Sequence, residues 1–405
     1  MSAVKQMALG AFLMATGHHL AGWRHPRALA EGGLDAGHYR ALARTAERGC
    51  FDAIFLSDTL AMLPGRLDAL SRMARTEHFE PLTLLAHLAV ETRHIGLVAT
   101  VTSSYNDAGT VADAFATLEA LSGGRSGWNL VTSSNAEEAG NFGRASHYEH
   151  ACRYRMAEDF LGRVRSRWRH RGVAPVQVLA GASEAGRNLA ARHAEVLFTA
   201  QPELAGAQAF YADIKARAVR HGRDPDGIKV LPGVLPILGA SRTEAHERHA
   251  ELQALVQPVV GLSLLGDVAG GFDLSSLPLD GPLPELPPTE SGVSRQHLLL
   301  DLARREGLSI RQLYQRIADA RGHRVLVGTA EDVADQLQHW FEAGAADGFN
   351  IMPPYLPGGL DDFVDQVVPL LQRRGLFRRR YQGRTLREHL GLIRNSLVEE
   401  SLTDA

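Results

Sequence analysis

Histidine and hydroxyl residues recur in this chain where strand-like runs end, and these are the residues that could do chemistry. His18 and His19 follow the first apolar run, Ser57-Asp58 the second, and Thr102-Ser103-Ser104-Tyr105-Asn106 the third. Asn129 and Thr132-Ser133-Ser134 mark the fourth, and Gly181-Ala182-Ser183 the fifth. Imidazole titrates near neutral pH, which makes His18 and His19 candidate general acids or bases. Any single Ser or Thr here is equally an ordinary turn or cap residue; five polar ends together point to a site. Gly181-Ala-Ser-Glu-Ala-Gly186 joins a strand to a helix. Small residues there let backbone N–H groups approach an anion, and a helix start favours negative charge. His150 and Tyr154 are spaced i, i+4 at the start of a helix, so both can donate to one phosphate. A surface histidine beside a packed tyrosine would show the same spacing.

Eighteen histidines invite a metal centre, but no H-x-x-x-H or H-E-x-x-H occurs. The adjacent His18 and His19 point to opposite sides of an extended chain. No metal ligand is assigned, and a metal hydrolase barrel is disfavoured. The G-x-S-x-G elbow and the P-loop are also absent from the sequence.

Strand-like runs alternate with amphipathic helical stretches throughout. The spacing predicts eight strands: Met7–Leu13, Ala53–Leu56, Ile95–Val101, Gly127–Val131, Val176–Leu179, Val196–Thr199, Ile228–Leu235 and Phe349–Met352. Between them lie helical stripes such as Tyr39, Leu42, Ala43, Ala46 and Cys50, or Leu360, Phe363, Val364, Val367, Val368 and Leu371. Thr329-Ala-Glu-Asp332 resembles a capping box. Repeated βα units demand parallel strands with right-handed crossovers. Eight of them predict an α/β fold, a closed (β/α)₈ TIM barrel with insertions, over an open doubly wound sheet. Active sites then sit at the C-terminal strand ends. The whole chain, 1–405, reads as one such domain. It carries an insertion over 257–323, whose Gly/Pro/Leu-rich first half (Val268–Pro288) is expected to be a mobile lid or loop. A tail over 376–405 is available for contact between protomers.

The 405 residues include 43 basic and 46 acidic ones, a net charge of −3, so no basic excess exists to grip nucleic acid. No apolar run approaches the roughly 20 residues of a membrane helix. Cys50 and Cys152 make no disulfide framework. A cytoplasmic protein is expected.

Several segments together resemble a known family. They are Gly17-His-His19 with Trp23-Arg-His-Pro26, Glu80-Pro-Leu-Thr83, and Leu121-Ser-Gly-Gly-Arg-Ser-Gly-Trp-Asn-Leu-Val-Thr-Ser133. Gly181–Gly186, Ala194–Gln201, Asp347-Gly-Phe-Asn-Ile-Met-Pro-Pro-Tyr-Leu-Pro-Gly-Gly-Leu-Asp-Asp-Phe363 and Thr385-Leu-Arg-Glu-His-Leu390 join them. The chain resembles the flavin-dependent branch of the bacterial-luciferase-like superfamily over about residues 7–392. Within it, the match is to the group of nitrilotriacetate monooxygenase component A and dibenzothiophene-sulfone monooxygenase. The resemblance implies a luciferase-like barrel and a two-component monooxygenase. Reduced FMN would come from a separate NAD(P)H:flavin oxidoreductase and react with O₂ to a C4a-hydroperoxyflavin that oxygenates a small organic substrate. It implies that Asp58, Ser103 and Ser104 contact the flavin and that His150, Tyr154 and Ser183 hold its phosphate. It adds His323 to His18 and His19 as a candidate acid/base group, and it implies a homo-oligomer.

Three departures from the family pattern stand out. Arg163–Ala174 runs almost directly into Val176, where the family carries several tens more residues. Asp107-Ala-Gly-Thr110 replaces a usual proline and aromatic, and 257–290 matches poorly. The shortened connection lies at the bottom of the barrel, so it is expected to affect stability or contact between protomers before chemistry. It also keeps open a non-catalytic flavin-binding protein, beside a deazaflavin-dependent oxidoreductase on the same fold.

Overall fold

A computed structural model of the chain describes residues 5–62, 65–74, 76–133, 135–287 and 293–392. Ser134, within the fourth polar strand end, and 393–405, within the tail, lie outside them.

Nine strands form one sheet in which every pairing is parallel. They are β1 (Ala8–Leu13), β2 (Ala53–Leu56), β3 (Gly96–Thr102), β4 (Ser126–Val131) and β5 (Val176–Ala180). After them come β6 (Val196–Thr199), β7 (Lys229–Leu238), β8 (Arg324–Gly328) and β9 (Gly348–Ile351). Eight of them close a ring, β1 to β7 and then β9, which returns to β1. These are the eight strands the sequence predicts. The ring closes because β7 is long: Lys229–Pro232 pair with β6 and Gly233–Val234 with β9. Its upper part, Val234–Leu238, pairs with β8, a ninth strand outside the ring. That strand follows the insertion and leads into helix Ala330–Glu342, a ninth βα unit that the count of eight leaves out.

Alternation along the strands sorts the side chains. Phe12, Phe55 and Phe198 meet inside the barrel with ring centroids 4.6–5.5 Å apart, beside Val98, Val178, Leu231 and Met352. The residues alternating with them, such as Leu9, Ala11 and Ile54, face the helices. The Gly-Trp-Asn motif follows the same rule. Trp128 points out to Phe115, Phe160 and Trp168, while Asn129 points in and donates to Thr100 Oγ1 at 2.9 Å. Truncating Trp128 to alanine would cost about 3–5 kcal/mol by the cavity rule. Both helical stripes are buried, and Thr329 and Asp332 form the capping box.

The tail seals the floor. Leu386, Leu390 and Leu392 pack into the barrel's inner cluster, and a Cβ on Gly96 would sit 2.4 Å from Leu386 Cδ1. Arg387 pairs with Glu195 at 2.5 Å, and Arg378 with the buried Asp52 at 2.5 Å. The described part of 376–405 therefore packs on its own chain. The shortened connection is also at this end: helix His150–Arg171 stops at Gly172 in the left-handed conformation, and β5 begins at Val176. The β4–β5 ladder is intact beside it.

The insertion opens with a helix, Pro258–Val268, and 269–287 follow without helix or strand, as the sequence predicts for a loop. Leu274 from that loop joins Val260, Leu265, Ile310, Leu313 and Tyr314 in a second small core with Leu20 and Ala21. Irregular proline and leucine spacing hid this core, because its partners come from the loop after β1. Among the described residues no helix is long and apolar enough to cross a membrane.

Candidate active site

The C-terminal strand ends form a polar mouth with two unlike sides. On one side, two helix starts converge. Helix Glu184–His193 is capped by Ser183, whose Oγ accepts from Gly186 N at 3.2 Å. The same hydroxyl donates to Tyr154 OH at 3.2 Å. Tyr154 lies one turn into helix His150–Arg171, and the exposed His150 ring is 5.0 Å from its ring. A Cβ on Gly186 would lie 3.2 Å from both Ser183 Oγ and Tyr154 OH, so a larger residue there crowds both hydroxyls. Tyr154 and Ser183, 29 residues apart, are thus brought together, with His150 one turn before Tyr154 at a helix start.

The rim from β2 to β4 is a connected network. Asp58 lies 3.3 Å from His78 Nε2, and that hydrogen bond raises the His78 pKa. Ser103 Oγ donates to the Val131 carbonyl at 3.3 Å and Ser104 Oγ to that of Thr132 at 2.8 Å, so both hydroxyls tie β3 to β4. Thr102 and Ser133 share a hydrogen bond of 2.8 Å, and Ser133 holds a left-handed φ of 53°. Arg153 donates to the Ser133 carbonyl and lies 3.0 Å from His147 Nε2; His147 Nδ1 is 2.5 Å from Tyr105 OH. Sequence reasoning missed Arg153 and His147. The signal was present for Arg153, which shares the helix face of His150 and Tyr154.

The histidines sit on the other side. His18 Nε2 is 3.0 Å from the Phe12 carbonyl and its ring packs edge-on against Phe12. His19 Nδ1 accepts from Ala21 N at 3.2 Å, and its Nε2 lies 3.5 Å from Asp319 Oδ1. Asp319 also takes His249 Nε2 at 2.9 Å and Gln253 Nε2 at 2.5 Å. Burial raises its carboxyl pKa, but the hydrogen bonds from His19 and His249 outweigh that and lower it. His323 stacks on Phe198 with centroids 5.0 Å apart. Burial, then the charge of Arg321, push its pKa down to about 4 against the pull of the Thr199 backbone. At neutral pH it is therefore uncharged, and its buried Nδ1 has no hydrogen-bond partner among the described residues. A Cβ on Gly233 would lie 2.4 Å from that nitrogen. Nothing in the sequence marks Asp319, since its partners are contributed by the loop after β1 and by helix Arg242–Ala254. Among the described residues no group of three potential ligand side chains could hold a metal ion.

A closed parallel barrel whose strand ends carry a polar mouth is a common frame of an enzyme. The model of the luciferase-like monooxygenase family matches residues 12–347. The chain is 44% identical to nitrilotriacetate monooxygenase component A of Aminobacter aminovorans, covering 99% of this chain and all of that one. It is 43% identical to N-acetyl-S-(2-succino)cysteine monooxygenase of Bacillus subtilis, over 96% of this chain and 97% of that one. The solved EDTA monooxygenase of Chelativorans sp. BNC1 superposes with a TM-score of 0.78 at 32% identity, covering 97% of this chain and 100% of that one. The chain belongs to the luciferase-like monooxygenase family. It is a flavin-dependent monooxygenase. The alignment with the Aminobacter protein runs to 453 positions against 405 residues here, so that relative carries segments this chain lacks.

Proposed function

We propose that this protein is the oxygenase of a two-component system, binding reduced FMN delivered by a separate NAD(P)H:flavin oxidoreductase and using O₂ to oxygenate a small organic substrate. The observation that carries this reading is the meeting of Ser183 Oγ and Tyr154 OH at 3.2 Å between two helix starts. A phosphate there takes hydrogen bonds from Ser183, Tyr154 and His150 and faces both helix dipoles. Bound reduced FMN supplies the electrons that activate O₂. The chain's own residues orient that cofactor and keep water from it. Asp58, Ser103 and Ser104 form the rim against which the flavin lies. Phe12, Phe55 and Phe198 make the apolar floor of the mouth.

Of the three candidate acid/base histidines, His323 is neutral at pH 7 and has a buried ring nitrogen with no partner among the described residues. Its lowered pKa makes it a weak base, so it serves as a neutral hydrogen-bonding group beside Phe198 and not as a proton carrier near neutral pH. His18 and His19 hold the loop after β1 through Phe12 and Asp319 and shape the wall beside it.

The test is a reconstitution. With FMN, NADH and a flavin reductase present, the purified protein should convert a sulfone, polyaminocarboxylate or similar compound to an oxygenated product. Omitting any one of the three should abolish product. FMN binding without product from any substrate would reduce the protein to a flavin carrier.

A further inference from the structure

We propose that Arg321 is the anion-recognition residue of the substrate site, and that the substrate carries a carboxylate. This rests on the oxygenase reading above and names the substrate class for that site.

Arg321 stands apart from the phosphate cradle. Its Nη2 lies 3.2 Å from Sδ of Met14, the residue after β1. In the eight-stranded ring β1 is diametrically opposite β5, whose end carries Ser183. The guanidinium and the cradle therefore flank the mouth from opposite sides and do not share one phosphate.

The charge is recessed yet reachable. The residue is exposed to solvent, while surrounding protein desolvates its guanidinium and lowers its pKa. Three other arginines of these loops and helices are paired with carboxylates: Arg27 with Asp362, Arg242 with Asp332, Arg311 with Asp280. Among the described residues no carboxylate pairs with Arg321. The contact it makes is to a thioether, a weak acceptor. A partly desolvated guanidinium without a counter-ion is stabilised when an anion arrives, and its planar fork matches a carboxylate.

The backbone supports the same assignment. Arg321 ends helix Ile310–Ala320 in the left-handed conformation, φ 50° and ψ 43°, where glycine is the unstrained choice. The strain is held from both flanks. Two residues before, Asp319 is fixed by His249 and Gln253; two residues after, His323 is fixed against Phe198. Strained residues persist where their surroundings over-determine them, and such places cluster at ligand clamps. The turn alone needs no arginine. What arginine adds is a cation across the mouth from the cofactor phosphate, two residues from the neutral His323.

The experiment is an anaerobic calorimetric titration of the protein saturated with reduced FMN. The probes are citrate, tricarballylate and iminodiacetate, each against its methyl ester. At least one acid should bind, and its ester should bind at least about tenfold more weakly, one charge-assisted hydrogen-bonded pair. Arg321→Gln should weaken that acid by about tenfold or more, with Arg321→Lys between the two, while affinity for reduced FMN stays unchanged. The unchanged cofactor affinity shows that the variants are folded. Acids that bind no better than their esters, or that bind Arg321→Gln as tightly as the wild type, overturn the proposal and leave the oxygenase reading standing. Failure of the wild type to bind reduced FMN at all overturns both.

Discussion

The two sides of the barrel mouth are built on different principles. On the β4–β5 side, neutral hydroxyls, glycines and helix starts make a cradle from short local motifs: Ser183 caps its own helix, and Gly186 lies three residues on. On the β7–β8–β1 side, charged and titratable groups are held by distant partners. Asp319 draws His19 from the first loop and His249 from another helix, and Arg321 reaches Met14. The first arrangement suits a constant ligand group such as a phosphate, since helix dipoles recognise charge and not shape. The second can change with the insertion, which suits a variable substrate. The cofactor side and the substrate side should therefore respond separately to mutation.

The largest expected effect breaks the cradle. Gly186→Val would push Ser183 and Tyr154 apart and weaken FMN about 1,000-fold, as two charge-assisted hydrogen bonds at about 1.5–3 kcal/mol each are lost. Fluorescence titration reads this directly, and binding within a few-fold of wild type would contradict the site. The next sharpens the other side through pH. The folded His323 pKa of about 4 lies below the ordinary 6.5, so the unfolded chain binds this proton more readily. The resulting stability is complete above pH 6.5 and falls as pH drops from 6.5 toward 4, by on the order of 3 kcal/mol. His323→Gln should flatten that part of the pH–stability curve in urea titrations and leave FMN affinity near wild type. An unchanged slope would mean that His323 is solvated. The smallest is Ser183→Ala, which removes one helix cap and one phosphate donor. It should weaken FMN by about tenfold or somewhat more through one lost charge-assisted hydrogen bond, and lower stability by about 1 kcal/mol through the lost cap, with little change in carboxylate binding.

What was legible in the sequence follows the same division. The eight ring strands and the buried stripes follow from periodicity, whereas the pairing of residues 150–154 with 183 comes from the family resemblance, since spacing and capping suggest each segment only separately. The second core around Leu274 and Tyr314 does not follow from periodicity: it joins segments far apart along the chain, and the Pro/Leu spacing of the insertion has no period to reveal it. The ninth strand, Arg324–Gly328, stays outside the count of eight although a helix follows it. His19 shows the limit for single residues. Its type suggested acid/base chemistry, yet both ring nitrogens face partners, one of them Asp319 from the far end of the insertion. Arg321 was invisible for the same reason: an arginine gains meaning only once it is known that no carboxylate pairs with it among the described residues.

The most direct measurement is a crystal structure of the protein with FMN bound. The phosphate should lie between the starts of helices His150–Arg171 and Glu184–His193, within hydrogen-bond reach of Ser183 and Tyr154, and the flavin ring should extend toward Phe198 and His323. A phosphate bound at Arg321, or anywhere away from Gly186, would contradict this arrangement of the mouth.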